Sequence, residues 1–313
     1  MDGYFRKSRP DSEGARPLVV ARYVAMDGTI KLALGLSDDA AVETVFMPSH
    51  RPDRAHGCVS SQVGCAMGCD FCASTRNGLT RNLSSDEILA QFELLRGEAR
   101  AQSRRLASIV FMGMGEPLLN LDNVLPAIAT IADPRRGGIG WRHVTVSTVG
   151  IVPGIGKLAE ADLRVHLALS LHAPDDSTRR RLIPAAKRYA VADIIAAAKD
   201  YQRRSRRVVT IEYCLLGGVN DSNAQAAQLA GLLRDWRVHV NVIPYNPTGA
   251  SMTGAVYVRP TDARVNEFVA ELRENRVVAH VRRTRGDDVN AACGQLAATR
   301  LTVLEEAHAQ AHG

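Results

Sequence analysis

No stretch of 18 consecutive apolar residues occurs in this sequence. Nor does the amino terminus, Met1-Asp2-Gly3-Tyr4-Phe5-Arg6-Lys7, carry an apolar segment behind its charges. The first absence excludes a transmembrane helix and the second a secretion signal, so the expected compartment is cytoplasmic. Internal repeats and low-complexity tracts are also lacking. Lysine is scarce: of 39 basic residues only Lys7, Lys31, Lys157, Lys187 and Lys199 are lysine and the rest are arginine, a bias that genomic base composition produces as readily as phosphate recognition does. Cysteine is too sparse for a disulfide framework. Six are present, three of them clustered, which reads as metal ligands and reactive thiols in a reducing compartment.

What is present is a globular enzyme-sized chain. Its 313 residues, 46% of them hydrophobic, are enough for one large domain or two ordinary ones. A net charge of +6 favours a polyanionic partner, since basic surface supplies most sequence-independent affinity for nucleic acid. The arginines gather at Arg179-Arg180-Arg181, Arg203-Arg204-Ser205-Arg206-Arg207 and Arg282-Arg283-Thr284-Arg285. Each cluster reads equally as a phosphate contact or as a solvated helix face or loop.

The most specific stretch is Cys65-Ala66-Met67-Gly68-Cys69-Asp70-Phe71-Cys72. Thiolates this close in sequence converge on one soft metal centre, and iron–sulfur clusters are held by such runs. Three ligands leave one iron of a four-iron cluster open to a substrate or cofactor. The alternative is a structural zinc site completed by Cys58 or a distant histidine.

Around this loop the hydrophobic pattern predicts an α/β fold. Residues 1–15 are polar and read as a loose N-terminus. Short runs at 18–26, 30–36 and 42–47, separated by Asp27-Gly28 and Ser37-Asp38-Asp39, predict three antiparallel strands. They form a small β-subdomain that, with a linker over 48–57, occupies residues 16–57. Beyond the cysteines, strand-like runs at 108–112, 143–148, 165–172, 208–215, 238–245 and 277–283 alternate with helical patterns at 84–96, 124–132, 155–161, 192–203, 223–235 and 263–275. Such alternation implies βαβ units and a parallel sheet, here a partial (β/α)6 TIM-type barrel over 58–299 with its chemistry at the carboxyl ends of the strands. A last helix is expected over 300–309, within a C-terminal segment of 300–313.

Those strand ends carry Phe111-Met112-Gly113-Met114-Gly115-Glu116-Pro117, Ser147, Ser170-Leu171-His172 and Asn246. Glycines there let a ligand lie against the backbone, and a carboxylate accepts hydrogen bonds from an ammonium group. Each alone also fits a turn or cap residue.

Cys-x-x-x-Cys-x-x-Cys resembles the signature of radical S-adenosylmethionine enzymes. Adding Cys58-Val59-Ser60-Ser61-Gln62-Val63-Gly64-Cys65, Gly-Met-Gly-Glu-Pro-Leu-Leu-Asn, Ser-Leu-His-Ala-Pro and Asn290-Ala291-Ala292-Cys293-Gly294, the chain closely resembles the RlmN family of RNA adenine-C2 methyltransferases, relatives of the Cfr methyltransferases. The resemblance runs from about Gly28 to Leu296. It implies a 4Fe-4S cluster on Cys65, Cys69 and Cys72, and S-adenosylmethionine held by Gly115, Glu116, Ser147, Ser170, Leu171, His172 and Asn246. Two cofactor molecules serve each turnover. One methylates Cys293; the other, cleaved at the cluster, yields a 5′-deoxyadenosyl radical that takes a hydrogen atom from the methylated cysteine. The methylene radical adds to the base, Cys58 resolves the adduct by forming a disulfide with Cys293, and Glu43 accepts the ring proton. The implied substrate is an adenosine in 23S rRNA, with tRNA as a second class, and the implied electron donor is a flavodoxin or ferredoxin. Methylation at C8, as in the Cfr relatives, and a non-catalytic zinc-stabilised RNA-binding protein are the alternatives. Cys214 matches no motif and is expected in the core. Asn290 stands where an aspartate is common in the family and Leu79 where a phenylalanine is. Family members usually carry a helical domain ahead of the β-subdomain, where this sequence has residues 1–15, so the mode of RNA binding is expected to differ.

Overall fold

The computed structural model describes residues 17–297. Residues 1–15 and the helix expected over 300–309 lie outside the described residues. In chain order the elements are β1 (Leu18–Val24), β2 (Ile30–Gly35), β3 (Ala41–Pro48), β4 (Arg54–Cys58), β5 (Gln62–Gly64), β6 (Leu79–Asn82), α1 (Ser85–Ala101), β7 (Arg105–Phe111), α2 (Leu121–Ala132) and β8 (Val144–Thr148). There follow α3 (Val152–Glu160), β9 (His166–Ser170), α4 (Asp176–Leu182), α5 (Val191–Ser205), β10 (Thr210–Leu215), α6 (Asn223–Leu233), β11 (His239–Pro244), α7 (Asp262–Glu274) and β12 (Val278–Val281).

Ten strands form one sheet in the order β1-β2-β3-β4-β7-β8-β9-β10-β11-β12, and β5 pairs with β6 in a separate two-stranded sheet. β1 to β3 run antiparallel, as the short runs between tight turns predict. β4 is the hinge of the topology: it is antiparallel to β3 and parallel to β7. From β4 to β12 every neighbouring pair is parallel.

The linker expected at residues 48–57 contains a strand. Four of those ten residues belong to β4, through which the antiparallel strands β1–β3 join the edge of the barrel sheet. The reason is local. In Arg54-Ala55-His56-Gly57-Cys58 the buried positions are filled by alanine, glycine and cysteine, which carry little hydrophobic bulk to mark a strand. Gly57 is small because α1 leans on it: a Cβ there would lie 2.7 Å from Ile109 Cδ1 and 2.8 Å from Leu95 Cδ1.

α1 shows how the helices cover the sheet. Its start is fixed by a capping box in which Ser84 Oγ accepts from Glu87 N and the Glu87 carboxylate accepts from Ser84 N. Ile88, Phe92, Leu95 and Ala99 then fall on one stripe and are buried. At the carboxyl ends of the strands lies a cavity lined by the three clustered cysteines together with Glu116, Ser147, Ser170 and Glu212.

After β12 the chain crosses from the last strand back to the first three. Along this strap Gly286 N donates to Asp27 Oδ2 at 3.3 Å, Met26 N to Asp288 Oδ2 at 2.9 Å, and Lys31 Nζ to the Asn290 carbonyl at 3.3 Å. Ala297 N donates to Glu43 Oε2 at 2.7 Å. Cys293 rides on the strap between these anchors.

Candidate active site

The cysteine loop hangs between β5 and β6. Cys65 N donates to the Gly78 carbonyl at 2.9 Å, and Cys72 N to that of Cys69 at 2.9 Å, so the three thiols are held in a tight turn. Asp70 ties the loop to the segment after β11, accepting from Thr253 Oγ1 and from Tyr257 OH, each at 2.7 Å. Burial pushes the Cys65 thiol up to about 12 and lifts those of Cys69 and Cys72 as well, and the neighbouring thiols add to the shift. Such thiols stay protonated unless a cation takes the charge, which is what a metal centre does.

The glycine-rich turn after β7 packs directly on the segment between β4 and the cysteines. Ser60 Oγ accepts from Met114 N at 2.9 Å, and Gln62 Oε1 accepts from Glu116 N at 2.8 Å. Gly115 has φ +98°, and a Cβ there would come within 2.5 Å of Gln62 Cβ, so no other residue fits. The Glu116 side chain is 2% exposed. Its Oε2 accepts from Val149 N at 2.8 Å and its Oε1 from Leu118 N at 3.1 Å. Burial outweighs these bonds and raises the carboxyl to about 7.

The later strand ends complete the cavity. Ser147 Oγ and Ser170 Oγ lie 3.3 Å apart. His172 adopts φ +60° and its Nδ1 accepts from Cys214 N at 2.9 Å. Burial, and then the nearby Arg179, drop the imidazole to about 3, so it is neutral with Nε2 as the donor. Gly115, Glu116, Ser147, Ser170 and His172 line one cavity with the three clustered cysteines and Cys293. Leu171 and Asn246 do not line it. Leu171 contributes backbone only, its carbonyl accepting from Arg179 Nε at 3.0 Å, and Asn246 Nδ2 donates to the Cys293 carbonyl at 3.3 Å.

Cys58 ends β4 and is buried, whereas Cys293 is exposed on its strap. Burial pushes the Cys58 thiol up to about 12; Cys293 nearby acts in the same direction and Arg282 opposes it. Glu43 lies on β3 outside the cavity lining, with Lys31 Nζ 3.0 Å from Oε1.

Sequence reasoning missed three groups here. Arg179, read as one of a surface triplet, is almost fully buried and holds the carbonyls of Leu171, Val149 and Ser170, fixing the turns after β8 and β9. Arg282, from another triplet, lines the cavity with Glu212 of β10. A carboxylate within the apolar run 208–215 was the signal available for Glu212. Cys214 is buried as expected and also lines the cavity.

The donor set suits an iron–sulfur cluster. Within residues 65–72 the loop offers no imidazole as a ligand. Three soft thiols instead border a cavity whose other wall offers a carboxylate, two hydroxyls and a neutral imidazole.

A parallel α/β barrel with such a loop at its carboxyl edge defines a radical S-adenosylmethionine core, and residues 59–230 match the Radical SAM superfamily. A protein named probable dual-specificity RNA methyltransferase RlmN 1, from Opitutus terrae, is 57% identical over 90% of this chain and 79% of its own length. One named probable dual-specificity RNA methyltransferase RlmN, from Thermosynechococcus vestitus, is 47% identical over 95% of this chain and 85% of its own. The crystal structure of a radical SAM methyltransferase from Sphaerobacter thermophilus superimposes with a TM-score of 0.85 at 45% identity, covering 90% of this chain and 81% of that one. The chain belongs to the RlmN family of radical S-adenosylmethionine RNA methyltransferases. It is thus an S-adenosylmethionine-binding iron–sulfur enzyme. No helix among the described residues is long and apolar enough to cross a membrane.

Proposed function

We propose that this enzyme methylates C2 of an adenosine in 23S rRNA, with tRNA as a second substrate. In this reading it works in the cytoplasm with a 4Fe-4S cluster, two S-adenosylmethionine molecules per turnover, and electrons from a flavodoxin or ferredoxin. The observation that carries the reading is the pair Cys58 and Cys293, both within the field of Arg282, beside the cavity that the three clustered cysteines line.

Carbon 2 of adenine is not nucleophilic, so the methyl group cannot be delivered to it by displacement. When bound, the cluster and S-adenosylmethionine would supply a transferable methyl group and a radical able to abstract hydrogen. Cys65, Cys69 and Cys72 hold the cluster. Glu116 takes the cofactor's ammonium group while Gly115, Ser147, Ser170 and His172 line its seat, which Leu171 and Asn246 support from behind through their bonds with Arg179 and with the Cys293 carbonyl. Cys293, exposed on the strap, accepts the methyl group on sulfur and then presents its carbon to the base. Glu43 takes the ring proton, and Cys58 attacks the Cys293 sulfur, forming a disulfide as the bond from that sulfur to the transferred carbon breaks and its electron pair leaves with the methylated base. Glu43 is suited by register: Val45 pairs with Cys58, and strand alternation puts residues 43 and 45 on one face.

The decisive experiment is mass spectrometry of nucleosides from ribosomal RNA and tRNA, each incubated anaerobically with reconstituted protein, reductant and S-adenosylmethionine. 2-Methyladenosine is expected. 8-Methyladenosine would move the enzyme to the Cfr-like chemistry, and neither product would sink the reading.

Glu116 gives a second prediction. Because its carboxyl titrates near 7 in the free protein, ammonium binding below that pH must first displace a proton. Affinity for S-adenosylmethionine, measured by anaerobic equilibrium dialysis, should be level above neutrality and fall by about tenfold per pH unit below it. Glu116→Gln should bind about 10- to 100-fold more weakly at pH 8 and lose the pH dependence. An unchanged profile in the variant would remove Glu116 from this role.

A further inference from the structure

Glu212 is a carboxylate in the middle of the sheet, 4% exposed, between Ile211 and Tyr213, which are fully buried. One oxygen is fixed, Oε1 accepting from Asn241 Nδ2 at 3.0 Å. The other, Oε2, is buried with no hydrogen-bond partner among the described residues. Arg282 Nη1 stands 3.6 Å from it, an ion pair too long for a hydrogen bond. A buried carboxylate oxygen left in this state is unfavourable, and a donor brought by a ligand would relieve it. Both side chains line the cavity that contains Cys293.

Arg282 is similarly underused. Its guanidinium carries five donors. Besides Glu212, its side chain meets the sulfur of Met112, 3.7 Å from Nη1, and it lies in the field of Cys293 and Cys58. The pair therefore offers an acceptor and a donor fork side by side. Adenine presents the complement, a donating 6-amino group next to a ring nitrogen that accepts.

We infer that Glu212 Oε2 accepts a hydrogen bond from the amino group of the target adenine, with Arg282 donating to the adjacent ring nitrogen. The inference rests on the RNA methyltransferase reading above and makes this pair the determinant of adenine specificity. The competing donor is a cofactor hydroxyl, since Ser170 is the register partner of Glu212 across β9 and β10. The target base is favoured because Arg282 ties the pair to the thiols that must meet it, while Glu116 and the two serines stand on β7, β8 and β9 or just beyond them.

The test compares an RNA fragment bearing adenosine with the same fragment bearing purine riboside, which lacks the amino group, at the position that nucleoside analysis identifies. Wild type should prefer adenosine by about 10- to 100-fold in kcat/KM. Glu212→Ala should bring the two substrates to within about twofold of each other, and the isosteric Glu212→Gln, which preserves packing, should reduce the preference to about tenfold or less. Any difference in intrinsic reactivity between the two bases is common to all three proteins and cancels. Iron content and S-adenosylmethionine affinity should stay at wild-type values. Undiminished preference in both variants would overturn the inference, and so would lost cofactor affinity with preference intact, which would assign Glu212 to the cofactor. Failure of wild type to methylate any adenosine would instead bring down the underlying reading, and the inference with it.

Discussion

Cys293→Ala should abolish methylation of RNA, by at least about 10⁴-fold, while iron, sulfide and S-adenosylmethionine binding remain at wild-type levels. The size follows from the absence of a substitute. Cys214, which lies outside the cysteine loop and also lines the cavity, is buried on β10, and burial pushes its thiol far up. Cys58 is buried at the end of β4. Cys293 alone combines exposure with a place in the cavity lining. Its backbone is positioned by Asn246 on one side and by the bond from Ala73 N to the Gly294 carbonyl, 2.7 Å, on the other. The second bond links the strap to the chain just after the three clustered cysteines, so the thiol is registered against them without a covalent tie. The substitution removes a sulfur and leaves these backbone contacts, which is why cluster loading should survive. Nucleoside mass spectrometry on the reconstituted variant decides it, and residual methylation near the wild-type rate would mean that the methyl group does not travel through Cys293.

The parts of this site that were legible in the sequence are those whose residues are neighbours in the chain. Cys65, Cys69 and Cys72 sit on one loop, and Gly115 and Glu116 on one turn, so spacing alone reports that they border one cavity. Strand ends were legible for a related reason, because a parallel sheet puts them on one edge whatever their separation. What stayed hidden depends on direction. Arg179, Arg180 and Arg181 look alike in sequence, yet the short helix α4 turns the first into the protein and leaves the other two in water. Glu212 and Arg282 meet only because β10, β11 and β12 stand side by side. The strap was invisible for the same reason, its anchors joining residues more than two hundred positions apart. One oddity of the sequence is explained by the fold: Asn290, where an aspartate is common in the family, has φ +50°, a left-handed conformation that asparagine tolerates well.

The strap also bears on the last step of the reaction, and Cys58→Ala is the substitution that isolates it. This variant should accept a methyl group on Cys293 and attach to RNA, then stall as a covalent protein–RNA adduct. The adduct should be visible as a shifted band on a denaturing gel and sensitive to nuclease, with multiple turnover lost by at least about 10³-fold. The reasoning starts from burial. A thiol pushed up to about 12 is protected from stray oxidation and alkylation, which suits a group needed once per cycle, but it is a poor nucleophile until its proton leaves. Arg282 is a nearby cation that favours the thiolate. In wild type, breakdown of the adduct should therefore quicken as pH rises through the neutral range, since the thiolate fraction grows about tenfold per unit well below the pKa. In Cys58→Ala that acceleration should vanish along with turnover. Normal turnover by the variant would show that another group resolves the adduct, and Cys58 would then be no more than a packed thiol at the end of β4.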